Sequence, residues 1–157
     1  MTSRNGLFCY GSNSYAQITR RCGAAPLKYI PATLPNHRRI FQGHSRTWDG
    51  GVANVVPDAH SSVKGAYAEI SDSCLELLDE YEGIAGGYYI RVINNVTLND
   101  GTRVPCWIYL INPDRNAPET KPSAAYMNAV KETLSVWNQL TTARYLKGCL
   151  SLPVGIS

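Results

Sequence analysis

Short alternating runs of apolar and polar residues, punctuated by glycine and proline, set out the elements expected of this chain. Residues 7–9, Leu-Phe-Cys, read as a buried strand that runs through Tyr10 straight into Gly11-Ser12-Asn13. Residues 14–22 predict a short helix closed by Gly23, with Ser12 and Asn13 available to cap it. Over 28–41 the alternation is loose and Pro31 and Pro35 interrupt it, which predicts an irregular or edge strand. A polar loop at 43–50 leads to a β-branched strand at 51–56, which Pro57-Asp58 should stop. Residues 62–70 repeat the strand pattern with neither face cleanly polar, as suits a strand inside a barrel or a covered sheet.

The clearest helix is 71–82, with Ser71 or Asp72 as its N-cap and Gly83 as its stop. Strands at 88–98 and 102–111 flank Asn99-Asp100-Gly101, a strong hairpin signal. A proline-bearing loop at 112–122 and two helices at 123–137 and 141–150 complete the chain. Strands with interspersed helices and an antiparallel hairpin predict an α+β fold, a small mixed sheet or barrel, and not a doubly wound parallel sheet. No repeat or linker divides the sequence, so a single domain over 1–157 is expected.

Composition narrows the function classes. Hydrophobic residues make up 44% and charged residues 17% of 157, which are globular values. No apolar run reaches the roughly 20 residues of a transmembrane helix, and the N-terminus has no signal-peptide core, so no membrane association and a cytoplasmic location are expected. Cys9, Cys22, Cys74, Cys106 and Cys149 are scattered and odd in number, so reduced, mostly buried thiols are expected. His37, His44 and His60 show no ligand spacing, and no metal is expected. Residues 1–61 carry seven basic and two acidic side chains, whereas 62–100 carry two and seven. Arg20-Arg21 and Arg38-Arg39 are isolated pairs, too sparse for a nucleic-acid surface, though they permit a weaker polyanion or protein interaction module.

Two places carry candidate chemistry. Gly11 lets a backbone approach a ligand without a β-carbon in the way, and successive N–H groups in such a turn attract anions; a plain helix cap explains the same residues. On the 74–82 helix the apolar face holds Cys74, Leu75, Leu77, Leu78 and Tyr81, while Glu76, Asp79 and Glu80 point away. Stepping at ~100° per residue, Glu82 falls at ~80°, between Leu78 and Leu75 on the core-facing side; a frayed last turn would instead leave it on the surface. Burial, the like charges of Asp79 and Glu80, and the helix dipole would all raise its pKa, the condition a general acid–base requires. Trp48-Asp49-Gly50-Gly51 reads as a loop closing on a ligand or as an ordinary hairpin turn. Tyr126 sits near a helix start, placed either to reach a ligand or to pack in the core.

Taken together, Tyr10-Gly11-Ser12-Asn13, Leu78-Asp79-Glu80-Tyr81-Glu82-Gly83, Thr47-Trp48-Asp49-Gly50-Gly51-Val52-Ala53 and Gly87-Tyr88-Tyr89 resemble the γ-glutamylcyclotransferase family in order and spacing. The resemblance runs from about Leu7 to Tyr126; Ser14 replaces the family's usual apolar residue, and the C-terminal region is dissimilar. It implies a small mixed, mainly antiparallel β-barrel with surrounding helices, in a cytosolic and often homodimeric protein. It further implies intramolecular cyclisation of a γ-glutamyl amide, a γ-glutamyl amino acid, releasing 5-oxoproline and a free amino acid, with no cofactor. By the same resemblance Glu82 is the catalytic acid–base, and Leu7, Phe8, Cys9, Tyr10, Gly11, Ser12 and Tyr126 bind the substrate. The alternatives it leaves are γ-glutamylamine or glutathione substrates, or a catalytically silent metabolite-binding domain of the same fold.

Overall fold

The computed structural model describes residues 4–137 and Leu146. β1 (Arg4–Cys9) leads to α1 (Tyr15–Cys22), and β2 (Lys28–Ser45) and β3 (Gly50–Ser71) form a long hairpin. After α2 (Asp72–Tyr81), β4 (Tyr89–Leu98) and β5 (Arg103–Ile111) form a second hairpin. A 3₁₀ turn at Pro113–Arg115 and α3 (Ala124–Thr133) follow, the latter running into a 3₁₀ turn at Leu134–Val136. The strands close into a barrel in the order β1-β3-β2-β4-β5. All neighbours are antiparallel except the β1–β5 seam, which is parallel with Leu7 opposite Trp107.

Period-two alternation on β1 divides the core. Phe8 and Tyr10 join a cluster drawn from all five strands, including Leu34, Val63, Val96 and Ile108, which fills the barrel. Tyr126, Met127 and Val130 of α3 pack onto that cluster. Leu7 and Cys9 point the other way, toward Ile18 of α1 and Cys74, Leu75 and Leu78 of α2. The two helices are thus the cover over the outer face of β1 and β3.

Several elements differ from the sequence reading. The strands expected at 51–56 and 62–70 are one strand of 22 residues, and Pro57 does not stop it, because it pairs with His37 across a bulge between Pro35 and His37. The irregular strand expected at 28–41 runs on to Ser45 as one arm of that hairpin. It meets β4 only at Ala32 and Thr33, so most of its second edge needs no ladder donor and tolerates proline. The polar loop shrinks to the turn between Ser45 and Gly50. Ser14, not Ser12 or Asn13, caps α1, its hydroxyl accepting the Gln17 N–H at 3.1 Å. The third helix ends at Thr133, and the helix expected at 141–150 lies outside the described residues except for Leu146, which is helical and buried. Among the described residues no helix is long and apolar enough to cross a membrane.

The thiols also depart from expectation. Cys22 and Cys74 form a disulfide with Cα atoms 5.1 Å apart, tying the end of α1 to the start of α2, while Cys9 and Cys106 are free and buried. The bridge spans 52 residues, a separation that no spacing rule flags. In the chain-entropy account a loop of that length is worth about 4 kcal/mol. Cys74→Ser, or reduction of the native protein, is therefore expected to lower the unfolding free energy measured in urea by several kcal/mol; coincident unfolding curves with and without reductant would show that the thiols do not pair.

Candidate active site

Glu82 owes its place to how α2 ends. Gly83 has φ +66°, a left-handed conformation open to glycine at little strain. Its N–H bonds to the Glu80 carbonyl and the Ile84 N–H to the Asp79 carbonyl, both at 3.1 Å. This pair of reversed bonds is the Schellman termination. Glu82 is left as the C-cap residue, with its side chain turned inward and 14% exposed. The helical projection assigned the right side, although Glu82 sits at the cap and not within the last turn.

Opposite it lies the turn after β1, where every carbonyl is engaged by the protein. The Tyr10 carbonyl accepts from Arg39 Nε at 3.0 Å and Nη2 at 2.8 Å, and the Gly11 carbonyl from the Thr133 hydroxyl at 2.6 Å. The Ser12 carbonyl accepts from the Ser14 N–H, and the Asn13 carbonyl from the Tyr29 hydroxyl, each at 2.9 Å. Because each peptide is planar and trans, fixing a carbonyl turns the following N–H the opposite way. Among the described residues, the N–H groups of Gly11, Ser12 and Asn13 have no protein acceptor. Gly11 is also sterically required, since a Cβ there would lie 2.8 Å from the Tyr126 hydroxyl.

The turn and Glu82 share a small cavity lined by Phe8, Cys9, Tyr10, Gly11, Ser12 and Asn13 with Ala53, Tyr89, Tyr109 and Tyr126. Asn13 Nδ2 donates to Glu82 Oε1 at 3.1 Å, and Arg21 stands 3.7 Å from the same oxygen while also donating to Asn13 Oδ1. The Tyr126 hydroxyl accepts the Ala53 N–H at 2.8 Å and keeps its own hydrogen to donate. Tyr10 donates to the Tyr109 carbonyl, and Tyr109 donates to Asp79, which Arg91 pairs at 3.0 Å. Of the residues that the resemblance implies for catalysis and substrate binding, Leu7 alone is not in the wall; it lies in the cluster beneath α1 and α2.

Burial raises the Glu82 carboxyl above its ordinary 4.5; Arg21 and Asn13 act against this, and the nearby Asp79 charge adds to it. Burial pushes the Cys9 thiol far up and the Cys106 thiol up to about 12, so neither presents a thiolate. The tyrosines around the cavity stay protonated donors for the same reason.

Arg21, Arg39, Tyr89 and Tyr109 were not singled out as site residues from sequence. Tyr89 belonged to a recognised motif, but nothing local marks an arginine that acts across the barrel. The four paired arginines form no common surface: Arg39 is 3% exposed, Arg21 faces Glu82, Arg38 lies 3.9 Å from Asp58, and Arg20 bonds to Gln17. The Trp48-Asp49-Gly50-Gly51 segment is a hairpin turn, with the Trp48 ring edge-on to Tyr126 at 5.3 Å.

A model of the family "Gamma-glutamyl cyclotransferase, AIG2-like" matches residues 7–128. The chain belongs to this family. A human γ-glutamylcyclotransferase is 29% identical over 127 residues, a match covering 78% of this chain and 66% of the relative, just under two thirds of its length. The fold of this family member is shared with a solved γ-glutamyl cyclotransferase, TM-score 0.80 at 23% identity over 99% of this chain and 91% of that one. A solved human protein gives TM-score 0.82 at 24% identity, covering 98% and 90% of the two chains.

A carboxyl raised on folding makes the native state bind more protons, so its ionisation removes stability as pH rises from the unfolded value through the folded one. Glu82→Gln, which keeps the neutral shape, is thus expected to melt higher than wild type at pH 7, with the difference closing at pH 4. Equal gaps at both pH values would show that Glu82 is not held toward neutrality.

Proposed function

We propose that this chain is a γ-glutamylcyclotransferase that closes a γ-glutamyl amide into 5-oxoproline and releases the amine, with Glu82 as general acid–base. The observation that carries this reading is the placement of a buried carboxyl, raised in pKa, across one cavity from a turn with its amides unpaired. The substrate's α-amine attacks its own γ-carbonyl carbon; the new C–N bond forms the lactam as the old amide C–N bond breaks. The α-ammonium nitrogen sheds two protons on the way to the lactam N–H; Glu82 as carboxylate takes each in turn and returns it to the leaving nitrogen, which departs as an ammonium group. Amides of Gly11 and Ser12 hold the substrate carboxylate or the oxygen that becomes negative, and Tyr126 adds a hydroxyl donor.

Little else is needed, because an intramolecular attack gains most from a held geometry. Phe8, Cys9 and Tyr10 supply the wall and the backbone of the turn, and Leu7 supports it from behind. A homodimer and a cytoplasmic location belong to the same proposal; in the cytoplasm the Cys22–Cys74 pair would be held largely reduced.

The test is 5-oxoproline release from γ-glutamyl-alanine. Glu82→Gln should fold and lose roughly 10²-fold or more of kcat, and near-wild-type turnover in that variant would defeat the assignment. In the wild type, kcat/KM should rise with pH through an ionisation lying above the ordinary glutamate value; a profile flat down to pH 4 would remove Glu82 as the base.

A further inference from the structure

A second, larger cleft opens directly from the inner cavity. Ser12, Glu82, Tyr89 and Tyr126 border both spaces. If the γ-glutamyl end occupies the inner cavity, as proposed above, the bond that breaks lies beside Glu82. Whatever hangs from the leaving nitrogen then projects into the outer cleft.

The charge of that cleft is one-sided. Arg21, Arg46 and Arg115 line it, with Glu82 as its one acidic wall residue. Arg21 is occupied by Glu82 and Asn13. His44 faces Asp49 at 3.4 Å, which offsets any charge the imidazole carries. Arg46 and Arg115 remain, on the β2–β3 turn and on the 3₁₀ turn after β5 respectively. Among the described residues neither has a carboxylate within ion-pair distance, and the Arg115 guanidinium stacks 4.8 Å above the Tyr88 ring. Stacking on an aromatic face orients the planar fork without using its in-plane donors, which match a carboxylate two at a time.

We infer that Arg46 and Arg115 are specificity-determining residues of the outer cleft, reading a carboxylate on the leaving group. This rests on the cyclotransferase reading and extends it. An amino acid or short peptide released through its amino group fits; a simple amine has nothing to offer the two guanidiniums, and a cationic amine is repelled. Both arginines are solvent-exposed, so the preference is moderate and weakened by salt.

The experiment compares kcat/KM for γ-glutamyl-alanine, glutathione, γ-glutamyl-ethylamine and γ-glutamyl-cadaverine. γ-Glutamyl-ethylamine differs from the alanine substrate chiefly by the missing carboxylate. Wild type is expected to prefer γ-glutamyl-alanine over it by about tenfold, shrinking at high salt. In Arg46→Gln/Arg115→Gln that ratio should fall to about threefold or less. Arg46→Glu/Arg115→Glu should shift the ratio toward γ-glutamyl-cadaverine, a gain that misfolding does not produce. Glutathione against γ-glutamyl-alanine reads whether a dipeptide or a single amino acid is the better source of the carboxylate.

Equal wild-type turnover of the alanine and ethylamine substrates, or a ratio unmoved in both double variants, overturns the inference while leaving the activity standing. Absence of 5-oxoproline from every substrate defeats the activity. Calorimetric binding of the same compounds to Glu82→Gln then decides the selectivity separately: carboxylate-dependent binding lost in the Arg46/Arg115 variants supports it, and indifferent or undetectable binding overturns it.

Discussion

Four consecutive carbonyls, from Tyr10 to Asn13, are each held by a donor: a buried guanidinium, two hydroxyls and one backbone amide. Those donors come from β2, from the end of α3 and from the start of α1, so the turn is fixed only when the barrel has closed and its helices have docked. The opposite faces of the same peptides carry the unpaired amides. The protein satisfies one side of this backbone and leaves the N–H groups of the other side without a protein acceptor. Arg39 is a buried cation, 3% exposed. It donates to the Tyr10 and Lys64 carbonyls, joining the turn to β3.

Glu82 depends on a different device with the same logic. A helix-terminating glycine sets where α2 stops, and the residue before it leaves the helical array with its side chain free to enter the cavity. Arg21 and Asn13 steady the carboxylate without fully compensating its burial, and so its proton affinity stays elevated. A turn with unpaired hydrogen-bond donors and a carboxyl reluctant to ionise thus face one another across a single cavity.

What the sequence disclosed follows from locality. The β1 run into Gly11, the Asp100-Gly101 hairpin, the Ser71 cap and the Glu82-Gly83 stop are decided by residues within a few positions of one another, and each is present in the fold. The continuous β3 strand was not legible, because Pro57 and Pro35 read locally as breaks, whereas a bulge in the partner strand absorbs them. Arg39 and Arg21 were visible only as basic pairs; their roles come from strands and helices that meet after folding. The Cys22–Cys74 bridge belongs to the same class, since only the packing of α1 against α2 brings the two sulfurs together.

The barrel is also unequally sewn. The β2–β3 hairpin is laddered along nearly its whole length, but β1 meets β5 at a single register pair, Leu7 with Trp107, reinforced by the Tyr10 hydroxyl on the Tyr109 carbonyl. That thin seam runs along the wall of the inner cavity. Local opening there would part Tyr10 from Tyr109 and widen the cavity while the long hairpin stayed intact. The fold therefore places its most sparsely paired strand joint beside the inner cavity.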